Sequence, residues 1–229
     1  MMHNDSVGNK PSIKYGYYDD GKLKYESPYI NGKEHGIYKE YYESGKIKEE
    51  IPYVNDEKHG TVKSYYKNGK LNYEAPYING KEHGIFKEYY ESGELKSELT
   101  FVNDKRHGSW KKYYKNGQLK SETPYKNDKI DGIWKTYYEN GQLSYECQYV
   151  DGCATGIMKN YYKSGKLESE IPHVDDVANG IVKAYYENGK LKRQSFFVNG
   201  EPNGIVKVYD ENGKLKIETE WIYDDDDEL

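Results

Sequence analysis

Aliphatic bulk is scarce in this 229-residue chain. Leu, Ile, Val and Phe together supply 40 residues and mean hydropathy is -1.12, which excludes a thick central core. Long apolar runs are missing as well. No window approaches the ~18 consecutive apolar residues of a membrane-spanning helix, and Met1 to Ser12 has no apolar stretch of the ~7 to 15 residues that a signal peptide needs. The expected location is therefore cytoplasmic, without membrane insertion. Cysteine is limited to Cys147 and Cys153, too few to staple a fold or to hold a metal tetrahedrally, and no cofactor is expected. Excess charge of one sign is absent from the body, because Asp224, Asp225, Asp226, Asp227 and Glu228 account for the whole net charge of -5. Runs of Lys are interleaved with Glu, which is not the basic stripe that nucleic-acid binding requires. Ser-His-Asp order, phosphate loops and CxxC pairs are all missing, so no enzyme is expected.

What is there is tyrosine, 28 of them, with aromatic content of 15%. Ring surface can replace aliphatic surface, which predicts an ordered chain with a thin core. The rings recur with a period of 24. Counting from Tyr17-Tyr18-Asp19-Asp20-Gly21, the unit Tyr-Tyr-x-x-Gly-x-Leu returns at Tyr41, Tyr65, Tyr89, Tyr113, Tyr137, Tyr161, Tyr185 and Tyr209, giving nine units. A second regular glycine (Gly36, Gly60, Gly84 and their equivalents to Gly204) precedes the next strand. Each unit thus carries two turns and two strands.

In the unit from Gly36, the segment Gly36 to Tyr42 alternates, Glu43-Ser44-Gly45-Lys46 turns, and Ile47 to Tyr53 returns. Asn-Gly at the first turn of most units predicts a two-residue type I′ hairpin, although Ser44, Ser92 and Ser164 suit a type I turn with left-handed Gly better. A two-residue turn sets Lys39 opposite Glu50, Tyr38 opposite Ile51 and Tyr42 opposite Ile47. The first pairing aligns the lysine of all eight complete units with a glutamate in nearly all, Gln194 being the exception. This register gives a core face of Tyr38, Tyr42, Ile47, Ile51 and Tyr53, and an opposite face of Ile37, Lys39, Tyr41, Lys48 and Glu50. Pro28, Pro52, Pro76, Pro124 and Pro172 should end or bulge the second strand.

The expected fold is all-β: an elongated antiparallel meander of nine tandem 24-residue hairpins in a single-layer twisted sheet, with a β-solenoid as the alternative. The array runs over residues 12–223, between a flexible start (1–11) and an acidic tail (224–229).

The unit Tyr-Tyr-Glu-Asn-Gly-Gln-Leu at Tyr137 to Leu143, with Asn-Gly-Lys-Glu-His-Gly at Asn31 to Gly36 and Asn79 to Gly84, resembles the variant form of the MORN repeat (membrane occupation and recognition nexus), as in the bacterial YwqK-family antitoxin-like proteins. The resemblance implies tandem hairpins and a protein-binding scaffold with an antitoxin or immunity role. The drift from Asn-Gly to Asn55-Asp56, Asn103-Asp104, Asn127-Asp128 and Asp175-Asp176 leaves the shape of that longer turn open.

His35, His59, His83 and His107 stand 24 apart. Equivalent residues of adjacent hairpins lie ~9.5 Å apart, too far to share a zinc, so these are read as turn residues. More informative is the column Tyr38, Val62, Phe86, Trp110, Trp134, Met158, Val182, Val206, whose bulk gathers in the middle. Phe86, Trp110 and Trp134, with Tyr113 and Tyr137 from the tyrosine ladder, are the expected partner-binding residues. The leading reading is a scaffold that masks a protein partner. The alternative is a glycan or cell-wall module in which rings stack on the ligand. Homodimerisation through the core face would also cover the rings.

Overall fold

The computed structural model describes residues 10–221; the start over residues 1–9 and the acidic tail lie outside the described residues. The chain divides between Arg106 and His107 into two compact units. In the first, four hairpins follow one another: Pro11–Tyr17 with Leu23–Ile30, Gly36–Tyr41 with Ile47–Val54, Gly60–Tyr65 with Leu71–Ile78, and Gly84–Tyr89 with Leu95–Val102. They join antiparallel at Glu26 opposite Lys39, Glu50 opposite Lys63 and Glu74 opposite Lys87.

The second unit repeats the scheme. Lys105–Tyr113, which carries the division, pairs with Leu119–Lys126, followed by Gly132–Tyr137 with Leu143–Val150, Cys153–Tyr161 with Leu167–Val174, Gly180–Tyr185 with Leu191–Val198, and Gly204–Tyr209 with Leu215–Trp221. Junctions at Glu122–Lys135, Glu146–Lys159, Glu170–Lys183 and Gln194–Lys207 link them. Pairing between sequential strands is antiparallel in both units, as a meander requires and a coil does not. No helix is long and apolar enough to cross a membrane among the described residues.

The first turn differs from expectation. Tyr42 N–H donates to Lys46 O and Gly45 N–H to Tyr42 O, both at 2.8 Å, with Gly45 at φ 80°. This is a three-residue loop, a type I turn followed by a left-handed glycine. In the Asn-Gly copies positive φ falls on Gly69 (91°) rather than on Asn68. The asparagine serves through its side chain instead, accepting from Lys70 N–H at 2.8 Å and donating to Glu91 O of the next repeat at 2.9 Å. A β-bulge then corrects the register: Tyr41 lies opposite Ile47, but Glu40 opposite Glu49 and Lys39 opposite Glu50. Lys48 is the extra residue. The charged pairing expected from the sequence therefore holds, Lys111 opposite Glu122 included, while Tyr42 does not face Ile47. The bulge also changes faces. Ile47 joins the side of Tyr41, and Lys48 swings to the side of Tyr38, where its ammonium reaches Glu40 at 2.9 Å.

Type I′ turns do form, in the longer connection. Asn31 (φ 53°) and Gly32 (78°) link Ile30 to Lys33. Asn55 and Asp56 adopt the same shape at 52° and 72°. Aspartate tolerates this left-handed backbone because it gains bonds across the repeat: Asp56 N–H donates to Glu34 O at 3.0 Å, and its carboxylate accepts Glu34 N–H at 2.7 Å. Asp104 accepts Glu82 N–H, and Asp176 accepts Ala154 N–H, in the same way.

Proline neither ends nor bulges its own strand. Pro28 sits inside Leu23–Ile30, and the following strand bows around it, His35 N–H donating to Pro28 O at 2.9 Å. The missing N–H thus faces a gap already open in the ladder. Beside proline the glycine is required twice over, since a Cβ on Gly36 would meet Pro28 Cγ at 2.9 Å and Gly36 holds φ at 117°; without proline, Gly108 and Gly204 still keep positive φ of 77° and 85°. Where Gln148 replaces proline, Gly156 relaxes to 81° and the strand Cys153–Tyr161 runs unbroken.

The paired tyrosines stitch repeat to repeat. The second ring of each pair reaches forward and donates to the backbone of the next: Tyr18 to Tyr41 O, Tyr42 to Tyr65 O and Tyr66 to Tyr89 O in the first unit, Tyr114 to Tyr137 O, Tyr138 to Tyr161 O, Tyr162 to Tyr185 O and Tyr186 to Tyr209 O in the second. The first ring reaches back, Tyr41 donating to Glu26 at 2.9 Å and Tyr161 to Glu146 at 2.8 Å. Glu26 and Glu146 also hold Lys39 at 3.2 Å and Lys159 at 3.5 Å, so each lysine bridges to the preceding repeat's glutamate.

Candidate partner-binding face

The strands have two sides with different chemistry. Buried apolar side chains among the described residues are few: Val62, Ala75, Leu99, Cys147, Ala154 and Val206. Most lie on the side of Tyr38, where the column containing the tryptophans faces the position after the recurrent glutamate. In the second unit Trp110 lies opposite Thr123 and Trp134 opposite Cys147.

Each ring is half-buried against tyrosines of flanking strands. In the first unit Phe86 stacks on Tyr73 at 5.9 Å and meets Phe101 edge-on at 6.5 Å. In the second, Trp110 packs against Tyr125 at 6.1 Å, and Lys112 Nζ sits 3.9 Å above the Trp110 ring. Trp134 lies between Tyr145 at 5.2 Å and Tyr149 at 5.9 Å, whose hydroxyls are 3.4 Å apart. Its indole Nε1 is buried without a hydrogen-bond partner. Burial pushes the Tyr145 hydroxyl well up, with the Tyr149 bond adding to it. Cys147 is 1% exposed, and burial raises its thiol too; a protonated, covered sulfur is packing rather than a nucleophile.

The expected binding residues do not share one side. Trp110 and Trp134 lie on the tryptophan face of the second unit. Tyr113 and Tyr137 are three positions further along the same strands and alternate to the opposite side. Phe86 occupies the equivalent column within the first unit. The opposite side carries Lys and Glu with an exposed isoleucine column, Ile133, Ile157, Ile181 and Ile205 in the second unit. Burial and the neighbouring Glu122 and Glu146 raise the Tyr137 hydroxyl.

Sequence reasoning missed Tyr145, Tyr149, Cys147 and Lys112 as the surroundings of the tryptophans. Small residues face the tryptophans at Thr123 and Cys147, but Ala75 and Ser195 are as small opposite Val62 and Val182, so this pairing did not mark the site. The histidines behave as turn residues: His59 Nδ1 is 3.3 Å from Asn79 Oδ1, and His83 Nδ1 3.4 Å from Asn103 Oδ1. Among the described residues no group of three His, Cys, Asp or Glu side chains could hold a metal.

The family described as MORN repeat variant matches residues 13–31, 34–55, 58–79, 82–103, 106–127, 130–151, 154–175, 178–199 and 202–223, nine segments that span nearly the whole array. No curated protein matches the sequence. Among solved structures, the crystal structure of TcdB2-TccC3-TEV is 12% identical with a TM-score of 0.23, the match covering 90% of this chain and 13% of that one. The Photorhabdus luminescens Tc holotoxin pore with the TccC3 D651A mutation is 11% identical with a TM-score of 0.21, covering 93% and 15%. The chain therefore spans a small fraction of these larger chains.

Proposed function

This chain belongs to the MORN repeat variant family, and from that premise we propose that it is a non-enzymatic scaffold whose tryptophan face binds a protein partner and masks it. The observation that carries the reading is the pair of half-buried indoles, Trp110 and Trp134, on equivalent positions of neighbouring hairpins in the second unit. Large amphipathic rings held rigid by flanking tyrosines resemble the anchors that dominate protein interfaces. An antitoxin- or immunity-like role, as in the YwqK-family proteins that the repeats resemble, is the finer form of the same reading.

The test is capture of host proteins by the immobilised chain, identified by mass spectrometry, followed by affinity measurement for the captured protein. Trp110→Ala with Trp134→Ala should weaken binding by about 30-fold or more, as loss of a hot spot of roughly 2 kcal/mol does, while β-rich circular dichroism persists. Ile133→Ser with Ile157→Ser, on the other side, should leave affinity within a few-fold. Unchanged binding in the tryptophan variant, or loss only in the isoleucine variant, overturns the assignment of the face. Light scattering on the pure chain separates self-association from partner capture.

A further inference from the structure

One column of the tryptophan face is lysine in six of its nine copies and acidic in one. The bulge residue after each first turn stands six positions beyond the second tyrosine of its pair, and in the copies at 24, 48, 96, 120, 192 and 216 it is lysine. That lysine is always engaged. Lys24, Lys120 and Lys192 lie over the rings of Tyr18, Tyr114 and Tyr186 at 5.7, 5.5 and 5.5 Å. Lys48, Lys96 and Lys216 instead reach Glu40, Glu88 and Asp210. Where the copy is Ser144, it bonds Thr136 at 2.7 Å. Only residue 168 reverses the sign.

Glu168 is half-buried and, among the described residues, takes part in no hydrogen bond or ion pair. Its repeat therefore lacks the cation that covers Tyr18, Tyr114 and Tyr186. The carboxylate makes itself felt on Tyr162, whose hydroxyl is raised chiefly by burial and then by Glu168 and Glu187. The neighbouring column is also cut back here. The position held by Glu40, Glu88 and Thr136 elsewhere becomes Ala184 in the following repeat, and Asn160 turns aside to donate to Ser169 at 2.9 Å. The result is a depression of about 360 Å³ lined by Asn160, Tyr162, Glu168, Ser169, Ala184 and Lys192. Lys192 stands one repeat further along and its ammonium is placed on Tyr186.

We infer that this depression is a subsite for a guanidinium or ammonium side chain of the protein partner, the ligand cation taking the place over Tyr162 that lysine fills in other repeats and pairing with Glu168. A cation over a tyrosine ring, backed by a carboxylate, combines the two attractions that recognise such groups. The planar guanidinium suits it best, because it can face the ring and fork to the carboxylate together. The subsite rests on the proposed protein-binding role and lies on the same side as Trp110 and Trp134, one to two repeats further along the second unit, so it supplies charge selectivity beside the aromatic anchor.

The test uses the full chain, with tyrosine ring resonances assigned, titrated with Nα-acetyl-arginine amide and, separately, with its neutral isostere Nα-acetyl-citrulline amide. Arginine should give saturable shifts centred on Tyr162, with citrulline at least tenfold weaker. Glu168→Gln should weaken the arginine response by about tenfold or more. Glu168→Lys should abolish it with an unchanged unfolding midpoint, since it restores the repeat's own pattern. Trp134→Ala should leave the titration as it was, so failure of the tryptophan face and failure of the subsite are read separately. Equal shifts with citrulline, an unchanged response in Glu168→Lys, or no saturation with arginine overturns the subsite.

Discussion

A single hydroxyl in this chain does work usually left to a core. Tyr138 donates to Tyr161 O at 2.7 Å and thereby ties one hairpin to the next. Replacing it by phenylalanine keeps the ring and leaves a part-buried carbonyl short of its donor. Tyr138→Phe should lower stability by about 1 kcal/mol, read as a lower midpoint in urea at unchanged slope; an unaltered midpoint would show that the bond is idle. Gly132 is a sharper case. It holds φ at 123°, and a Cβ would stand 2.9 Å from Pro124 Cγ. Gly132→Ala should destabilise by roughly 2 to 4 kcal/mol through backbone strain and the clash together. Removing the ring with Pro124→Ala should recover part of that loss and no more, because φ stays unfavourable. Full recovery would mean that the glycine answers only to the proline.

At the scale of the hairpin, what was legible in the sequence and what was not divide along a physical line. The pairing of Lys39 with Glu50 could be read because opposite charges recur at both positions and pairs are the unit of sheet stability. The bulge could not. Its extra residue is Lys48 in one copy and Asn72, Ser144 or Glu168 in others, so no residue type marks it, yet it moves Ile47 to the other side. Asn-Gly misled for a related reason. The same dipeptide serves a type I′ turn, where asparagine supplies backbone tolerance, and the three-residue turn seen here, where its amide supplies bonds. Ser44, Ser92 and Ser164 were the copies that distinguished the two. Trp110 and Trp134 were legible as a break in a column, whereas their packing partners were not: Tyr149 follows its column of Tyr29, Tyr53, Tyr77 and Tyr125, and Tyr145 stands in one that also holds Glu49, Ser97, Ser121 and Arg193, so no residue type marks it. The turn reading can be tested on one element. Asn140 accepts Gln142 N–H at 3.1 Å and donates to Lys163 O at 2.8 Å, so Asn140→Ala should cost about 1 kcal/mol. Asn140→Ser, the residue that other copies use, should cost less. Equal losses would deny the amide its role between repeats.

For the molecule as a whole, the same bond repeated along both units sets a pH limit. Tyr41, Tyr65, Tyr89, Tyr161 and Tyr185 each donate to a glutamate of the preceding repeat. Each hydroxyl is pushed up to about 12, first by burial and then by its glutamate. Unfolded tyrosine titrates near ~10. The folded state therefore holds these protons more tightly than the unfolded one. The stability linked to them is fully present below pH ~10 and is lost as pH climbs through ~10 towards ~12. Because the groups are equivalent and distributed over the two units, their losses accumulate where one tyrosine alone would pass unseen. The stitched rings should add their tyrosinate absorbance late, as pH approaches 12. The urea midpoint should fall steadily across the same interval. Glu146→Gln should bring Tyr161 down towards the ordinary value by removing the charge that its hydroxyl faces. A midpoint flat to pH 12, or a single titration step near 10, would mean that the tyrosine–glutamate bonds do not hold the repeats together.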